Sequence, residues 1–506
     1  MGHITTVSTR LATLTPSFPS KCPKASPLRN FSTKIYPFGS SFTGALGIGD
    51  KGLTTSLPKL TPKSVEFLQE STDPATGSVL VSPLPSSSSS HQQPTSVRCG
   101  WGHSVWTRDG DLFVAGKPHD FQTLLRMNRL PVFAVNLMNW MLTSFSVNVG
   151  VAEDDASTVA AGMMKTTPTR YDLPEGVRAG GKIAAGAGLT AFVCEQGKLY
   201  CFGLSAYGQC GSGTEVNNVW SPTPVLGLHS SLPPPPSATL PSDKKLENLT
   251  SIGQEGSIVD VGLGLQHGAA VDSLGNVYAW GKGERGQCGL WPDGGNTSYA
   301  GKVRLRRGRG YDEEVKVEGV ECGMQHTAAI TEDGEVYIWG KFQGGVDTQG
   351  SEGQAVDAFW PHRMVCGRSD SKVISIATAS HQTAALMDDG SVWMNGIVKD
   401  GRGETVYDFV EVAGGEMWGG EEVEIFGGFQ VVAVVGGKEA WVLELRETGR
   451  GEGGDGEGGE EGGEIDEAAR WGNVERADFL DGWEGEGKIV DLSMGWKFGQ
   501  AIVVRD

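Results

Sequence analysis

Three histidines, His103, His267 and His326, each close a Gly-x-x-His tetrapeptide. Imidazoles are the common bases and metal ligands of neutral-pH chemistry. A working site gathers such groups in one place. Copies spread along the chain with the same neighbours instead mark one repeated structural unit. These histidines are therefore read as turn-bracing or core residues. Gly281-Lys-Gly-Glu-Arg-Gly286 spells a dinucleotide-type G-x-G-x-x-G, but it follows Trp280 with no helix signal and no βαβ context. Gly482 to Lys488 imitates a phosphate-binding loop, yet it continues with Ile489 instead of Ser or Thr and carries Glu484 and Glu486 where phosphate would lie. The eight cysteines (Cys22, Cys99, Cys194, Cys201, Cys210, Cys288, Cys322 and Cys366) form no C-x-x-C pair, so reduced thiols packed as small hydrophobes are expected. No Ser-His-Asp order or carboxylate pair stands out. The reading is a non-enzyme without metal or cofactor.

One charged stretch remains as a binding candidate. Lys302-Val-Arg304-Leu-Arg306-Arg307-Gly-Arg309 is basic in a chain of net charge −19. Charge runs are usually just solvated. As a partner site, Arg304, Arg306, Arg307 and Arg309 would dock an acidic protein face or an RNA backbone.

The elements that hold these residues come from an internal repeat. Its best copy runs from Val320 through His326, Ala328-Ala329 and Asp333-Gly334 to Trp339-Gly340, and a second from Val261 through His267 and Gly275 to Trp280-Gly281. Each reads as three short strands: a Gly-x-x-His turn joins the first two, an Asp-Gly hairpin joins the next two, and aromatic-Gly ends the third. Glycine in the hairpin accepts positive φ, Ala pairs let neighbouring sheets approach, and Trp280 and Trp339 wedge between sheets. Weaker copies begin near Cys99, Ala185, Ile374 and Val423. The residues at the histidine position are 103, 189, 267, 326, 382, 430 and 498. The last copy, Ile489 to Val504, lacks its third strand, and Lys34 to Gly39 near the N-terminus supplies one. The expected fold is all-β: a seven-bladed β-propeller over 34–506, closed by pairing N- and C-terminal strands in one blade. Excess sequence goes into inserted loops at about 117–182, 228–256, 296–312 and 446–486.

These motifs resemble the regulator of chromosome condensation repeat, with its G-x-x-H turn, d-G hairpin, W-G end and following G-Q-L-G, echoed here in Gly208-Gln-Cys-Gly211 and Gly286-Gln-Cys-Gly289. The resemblance implies a propeller that binds a protein on one face. The family's founding member promotes nucleotide release from a small GTPase, so a GTPase regulator is the most enzyme-like reading; mitochondrial relatives imply partners among small or dynamin-like GTPases, or RNA and the ribosome. Light-sensing members carry repeated Gly-Trp-Arg-His-Thr. Only Gly100-Trp101-Gly-His103-Ser comes close here, so the 14 tryptophans are read as packing between blades.

Residues 1–49 contain no Asp or Glu but hold Arg10, Lys21, Lys24, Arg29 and Lys34 among many hydroxyl residues. This is the composition of an organelle transit peptide, placed at 1–33, with mitochondrion expected ahead of plastid or cytoplasm. No apolar run approaches the roughly 20 residues of a membrane span. Residues 451–467 alternate eight acids with eight glycines and cannot bury a core.

Overall fold

A computed structural model of the chain describes residues 32–40, 45–49, 56–57, 68–72, 79–83, 96–117, 165–228, 256–290, 294–305, 315–342, 356–366, 371–395, 398–399, 405–406, 409–429, 431–444, 475–477, 480, 487–495 and 498–505. They build seven sheets arranged as the blades of one propeller, antiparallel except where Leu68–Thr72 runs parallel to Lys165–Tyr171, and a separate hairpin of Val398–Lys399 with Thr405–Val406. From the axis outward, blade 1 runs Ser96–Cys99, His103–Arg108, Asp111–Gly116, Lys165–Tyr171, and is extended by Leu68–Thr72 and Val79–Pro83. Blade 2 is Ala179–Ala185, Leu189–Cys194, Leu199–Leu204, Asn218–Pro224, and blade 3 is Ile258–Leu263, His267–Asp272, Val277–Gly281, Thr297–Val303. Blade 4 is Val317–Cys322, His326–Thr331, Val336–Phe342, Val356–Met364, and blade 5 is Val373–Ala379, Gln382–Met387, Val392–Asn395, Phe409–Ala413. Blade 6 is Val423–Gly427, Val431–Gly436, Glu439–Glu444, Glu475–Arg476.

Blade 7 joins the two ends of the chain. Lys488–Met494 and Phe498–Arg505 are C-terminal, while Ser32–Ser40 and Ser56–Leu57 are N-terminal. Ser32–Ser40 pairs with Phe498–Arg505 from Ser32↔Arg505 to Gly39↔Phe498. The closing strand thus begins at Ser32, two residues before the boundary read from the sequence. The innermost strands of consecutive blades are neighbours all around, including blade 7 against blade 1. Ring closure leaves no open flank for a further blade to pair with.

Every blade has a fourth strand beyond the three that the repeat showed, and blade 1 has two more. The outer strands Lys165–Tyr171, Thr297–Val303 and Glu475–Arg476 occupy stretches read as inserted loops. Their composition hides them: the blade 2 and blade 4 outer strands contain Pro222 and Pro361, which only an edge position tolerates. The hairpins also differ from the two-residue expectation. Asp109-Gly110, with φ of 53° and 82°, is a two-residue turn. At Gly197, Gly275, Gly334 and Gly390 the loop is one residue longer, closed for example by Gly275 N–H donating to the Asp272 carbonyl. The left-handed glycine there follows an ordinary turn, the three-residue solution to the same strand twist.

Sequential blades bury one another's faces. The Trp280 ring sits among blade 2 and blade 3 side chains, and the Trp339 ring lies between blades 3 and 4. Ala328 and Ala329 are fully buried. A shared bulge recurs in the innermost strands, at Ile258/Asp260, Val317/Gly319, Val373/Ser375 and Ile489/Asp491. Bulges re-aim side chains. Here they leave Val259, Ile374 and Val490 exposed and turn Asp260 and Asp491 toward the next blade.

Candidate functional site

The Gly-x-x-His turns and aromatic-Gly ends share one face of the ring, since His267 pairs with Gly281 and His326 with Gly340. The histidines are buried staples between blades. His103 Nε2 lies 2.8 Å from Thr190 Oγ1, His267 Nε2 3.0 Å from Thr327 Oγ1, and His326 Nε2 3.0 Å from Thr383 Oγ1, each Thr belonging to the next blade. The Thr327 hydroxyl donates its single proton to the Gln287 carbonyl at 2.9 Å, so His267 Nε2–H donates to Thr327. Burial lowers the His267 imidazole to about 4 and that of His326 to about 3, leaving both neutral at physiological pH.

The glycines have equally physical reasons. A Cβ on Gly264 would stand 2.4 Å from the Gly323 carbonyl oxygen of the next blade and 2.4 Å from its own blade's His267 ring. The Gly281-to-Gly286 motif is packed in the same way: Cβ atoms on Gly281, Gly283 and Gly286 would strike backbone oxygens of Gln266, Gly295 and Ala358. The space a phosphate would need is filled by the chain itself. Lys488 of the second glycine motif starts a β-strand.

The seven described cysteines form no disulfide with one another. Burial pushes the Cys99 thiol up to about 12 and raises those of Cys288 and Cys322 further, so these three are protonated packing groups at neutral pH.

The basic stretch begins inside a strand. Lys302 and Val303 belong to the outer strand of blade 3, and Arg304 is exposed just beyond it. Val303 pairs with Val277 next to the hairpin at Gly275, which places Arg304 on the Asp-Gly face. Arg306, Arg307 and Arg309 lie outside the described residues, as do residues 1–31, Gln430, Trp496 and the acidic 451–467 segment. Glu444, the last described residue before that segment, pairs with Val431 on the opposite, Gly-x-x-His face.

At the axis lies a cavity of about 150 Å³, lined by the innermost strands of all seven blades. Charged side chains from five consecutive blades meet there. Arg98 Nη1 is 2.7 Å from Asp491 Oδ2, and Lys182 Nζ is 2.8 Å from Asp260 Oδ1. Asp260 Oδ2 also accepts the Val320 N–H at 2.8 Å, and Ser493 Oγ accepts the Cys99 N–H at 2.8 Å. These side chains satisfy backbone donors that the innermost strand edge would otherwise bury unpaired. The Asp260 carboxylate holds Lys182 above its ordinary value. Glu321 faces the same space with no hydrogen-bond or ion-pair partner among the described residues, and burial pushes its carboxyl up to about 7.

One end of the cavity is aromatic. Trp101 and Phe429 meet edge to face at 4.5 Å; Gly428 N–H donates to the Val431 carbonyl as Gly100 does to His103, so Val431, one residue past the position read from the sequence, takes the histidine place in blade 6. Half-buried Leu265 and Met324 hold the equivalent position in blades 3 and 4, knitted across by Leu265 N–H to the Met324 carbonyl at 3.2 Å and Met324 N–H to the Ser380 carbonyl at 2.7 Å. Sequence reasoning missed this site. Its signal was a charged residue two or four positions before the Gly of an otherwise apolar first strand, as at Arg98, Lys182, Asp260, Glu321 and Asp491.

Residues 196–271 and 275–330 match the Regulator of chromosome condensation (RCC1) repeat, as do 258–287 and 317–345 in a second model of that repeat. The chain is 31% identical over 179 residues to the Ultraviolet-B receptor UVR8 of Arabidopsis thaliana, covering 35% of this chain and 32% of the receptor. It is 29% identical over 208 residues to the human Regulator of chromosome condensation, covering 40% of each. Each match spans less than half of the relative's own length. Among solved structures, yeast RCC1 (Prp20) bound to Kap60 has a TM-score of 0.57 at 14% identity, covering 99% of this chain and 97% of that one. Human WBSCR16 has a TM-score of 0.53 at 16% identity, covering 93% and 99%. Prp20p from Saccharomyces cerevisiae, in a structure reported with its binding properties to Gsp1p and histones, has a TM-score of 0.55 at 15% identity, covering 94% and 92%.

Proposed function

We propose that this RCC1-like propeller is a non-catalytic interaction module, a mitochondrial regulator or assembly scaffold that docks a protein partner on its Gly-x-x-His face. The observation that carries the reading is the apolar mouth there, where half-buried Trp101, Leu265, Met324 and Phe429 ring the axis on a scaffold stapled from blade to blade. Aromatic and Met side chains on a rigid frame are typical anchors of protein interfaces. Two of the similar solved chains are themselves described with protein partners, Kap60 in one case and Gsp1p and histones in the other. The organelle rests on the acid-free, basic and hydroxyl-rich residues 1–49.

Proximity labelling with a C-terminal tag tests both parts. Labelled proteins should be mitochondrial, and Met324→Glu should remove a defined subset of them. Labelling confined to the cytosol sinks the location, and an unchanged set with Met324→Glu sinks the docking face. The similarity to the Regulator of chromosome condensation favours nucleotide exchange as a second reading. Purified chain should then speed release of labelled GDP from an organellar GTPase, and no acceleration leaves the scaffold alone. RNA association through Arg304 and the arginines that follow is the third, tested by charge reversal at Arg304, Arg306, Arg307 and Arg309 with RNA recovery as readout.

A further inference from the structure

We propose that the axial cavity is a receptor for an organic cation, a guanidinium or alkylammonium group that enters past Trp101 and Phe429 to pair with Glu321. Among the described residues the channel holds three carboxyl groups and only two cationic side chains. Arg98 is matched by Asp491, and Lys182 by Asp260, which also holds the Val320 N–H. Glu321 is left over, a carboxyl with no hydrogen-bond or ion-pair partner among the described residues, in a partly enclosed space. Burying an unmatched carboxylate is costly, and the group holds on to its proton until a counter-charge arrives. Its elevated value near 7 fits that state, with Lys182 and Arg98 favouring ionisation and Asp260 opposing it.

The cavity walls select the kind of counter-charge. Trp101 and Phe429 line the same cavity as Glu321. Aromatic faces attract weakly hydrated organic cations as well as apolar groups. A hard metal ion would need several oxygen ligands, and no cluster of three or more His, Cys, Asp or Glu suited to a metal occurs among the described residues. An anion is disfavoured because both channel cations are already paired. At about 150 Å³, the space equals roughly ten water positions of about 10–15 Å³ each, enough for a guanidinium with part of its alkyl stem. The cation site goes beyond the docking of a protein partner, because a free small molecule would satisfy it equally.

Calorimetric titration of the full chain with agmatine is the test. n-Butylurea, which keeps the four-carbon stem and a planar head but carries neither of agmatine's two charges, serves as the neutral control, and the pentapeptide Gly-Gly-Arg-Gly-Gly carries the same guanidinium on a polypeptide. Agmatine should bind and n-butylurea should not. Binding of the peptide as well would identify a partner's arginine as the source, whereas agmatine alone would identify a free cation. Glu321→Gln keeps the shape and should weaken agmatine about 30-fold. Phe429→Leu should weaken it roughly three- to tenfold and serves as the readout should Glu321→Gln fail to fold. No heat with agmatine, equal binding of n-butylurea, or wild-type affinity in the folded variants would overturn the proposal.

Discussion

At the residue scale, the staple His267–Thr327–Gln287 shows how one polar chain locks two blades. Thr327 accepts from the His267 ring and donates to the Gln287 carbonyl, all three groups being buried. Thr327→Val keeps the volume but strands both a donor and an acceptor. It should lower unfolding free energy by about 2–3 kcal/mol. In a urea titration, Thr223→Val, on the half-exposed outer strand of blade 2, should cost less than about 1 kcal/mol. Equal midpoints for the two variants would deny the staple its role. The same histidines set an acid limit. Below about 6.5 the unfolded imidazoles take up protons, while the folded His267 and His326 stay neutral down to about 4 and about 3. The unfolded state then binds more protons, so stability falls as pH drops from 6.5 toward 4 and returns as it rises. At His267 alone this amounts to about 3 kcal/mol by pH 4. Urea midpoints measured from pH 7.5 to 4 should fall accordingly, and His267→Gln with His326→Gln should flatten that slope.

At the scale of the element, glycine separates positions that a strand can spare from those it cannot. Gly281 ends the third strand of blade 3 at φ 98°, and a Cβ there would meet the Gln266 carbonyl oxygen at 2.6 Å and the His267 Cα at 2.8 Å. Gly176 has a similar left-handed φ of 74° but open space around it. Gly281→Ala should cost about 3 kcal/mol or more, and Gly176→Ala about 1 kcal/mol. Thermal unfolding of the two variants side by side tests this, and similar losses would mean that the close approach matters less than φ. The same contrast explains what could be read from the sequence. The three inner strands were legible because Gly-x-x-His, the hairpin glycine and Trp-Gly each answer to a steric demand that few residues meet. The outer strand answers to none. In every blade but the first it pairs on one side only; it tolerates Pro222 and Pro361 and varies in distance from its neighbour, so it read as loop. The channel charges were hidden for a related reason. Arg98 and Glu321 stand at one repeat position and Lys182, Asp260 and Asp491 at another, and only the circular order of blades brings them together.

At the scale of the whole molecule, stability rests on closing the ring. Ser32–Ser40 is the third strand of blade 7 and pairs along its length with Phe498–Arg505. It buries Ile35, Tyr36 and Phe38, worth about 1.5–3 kcal/mol each. The turn that follows brings in Ala45 and Leu46, both fully buried, and the Ala45 carbonyl accepts from Ser104 Oγ at 2.8 Å and Gln500 Nε2 at 3.1 Å. One segment therefore ties blade 7 to blade 1. Together these side chains contribute an amount comparable to the about 5–15 kcal/mol that separates most folded proteins from their unfolded chains. A chain starting at Ser41 should lose its single cooperative transition, because blade 7 would expose the edge of Phe498–Arg505 and blade 1 would lose its neighbour. Adding a synthetic peptide of residues 32–40 in excess should restore part of the lost midpoint by mass action. If the chain starting at Ser41 melts as the full sequence does, the closing strand is dispensable, and the ring is held by the inter-blade staples alone.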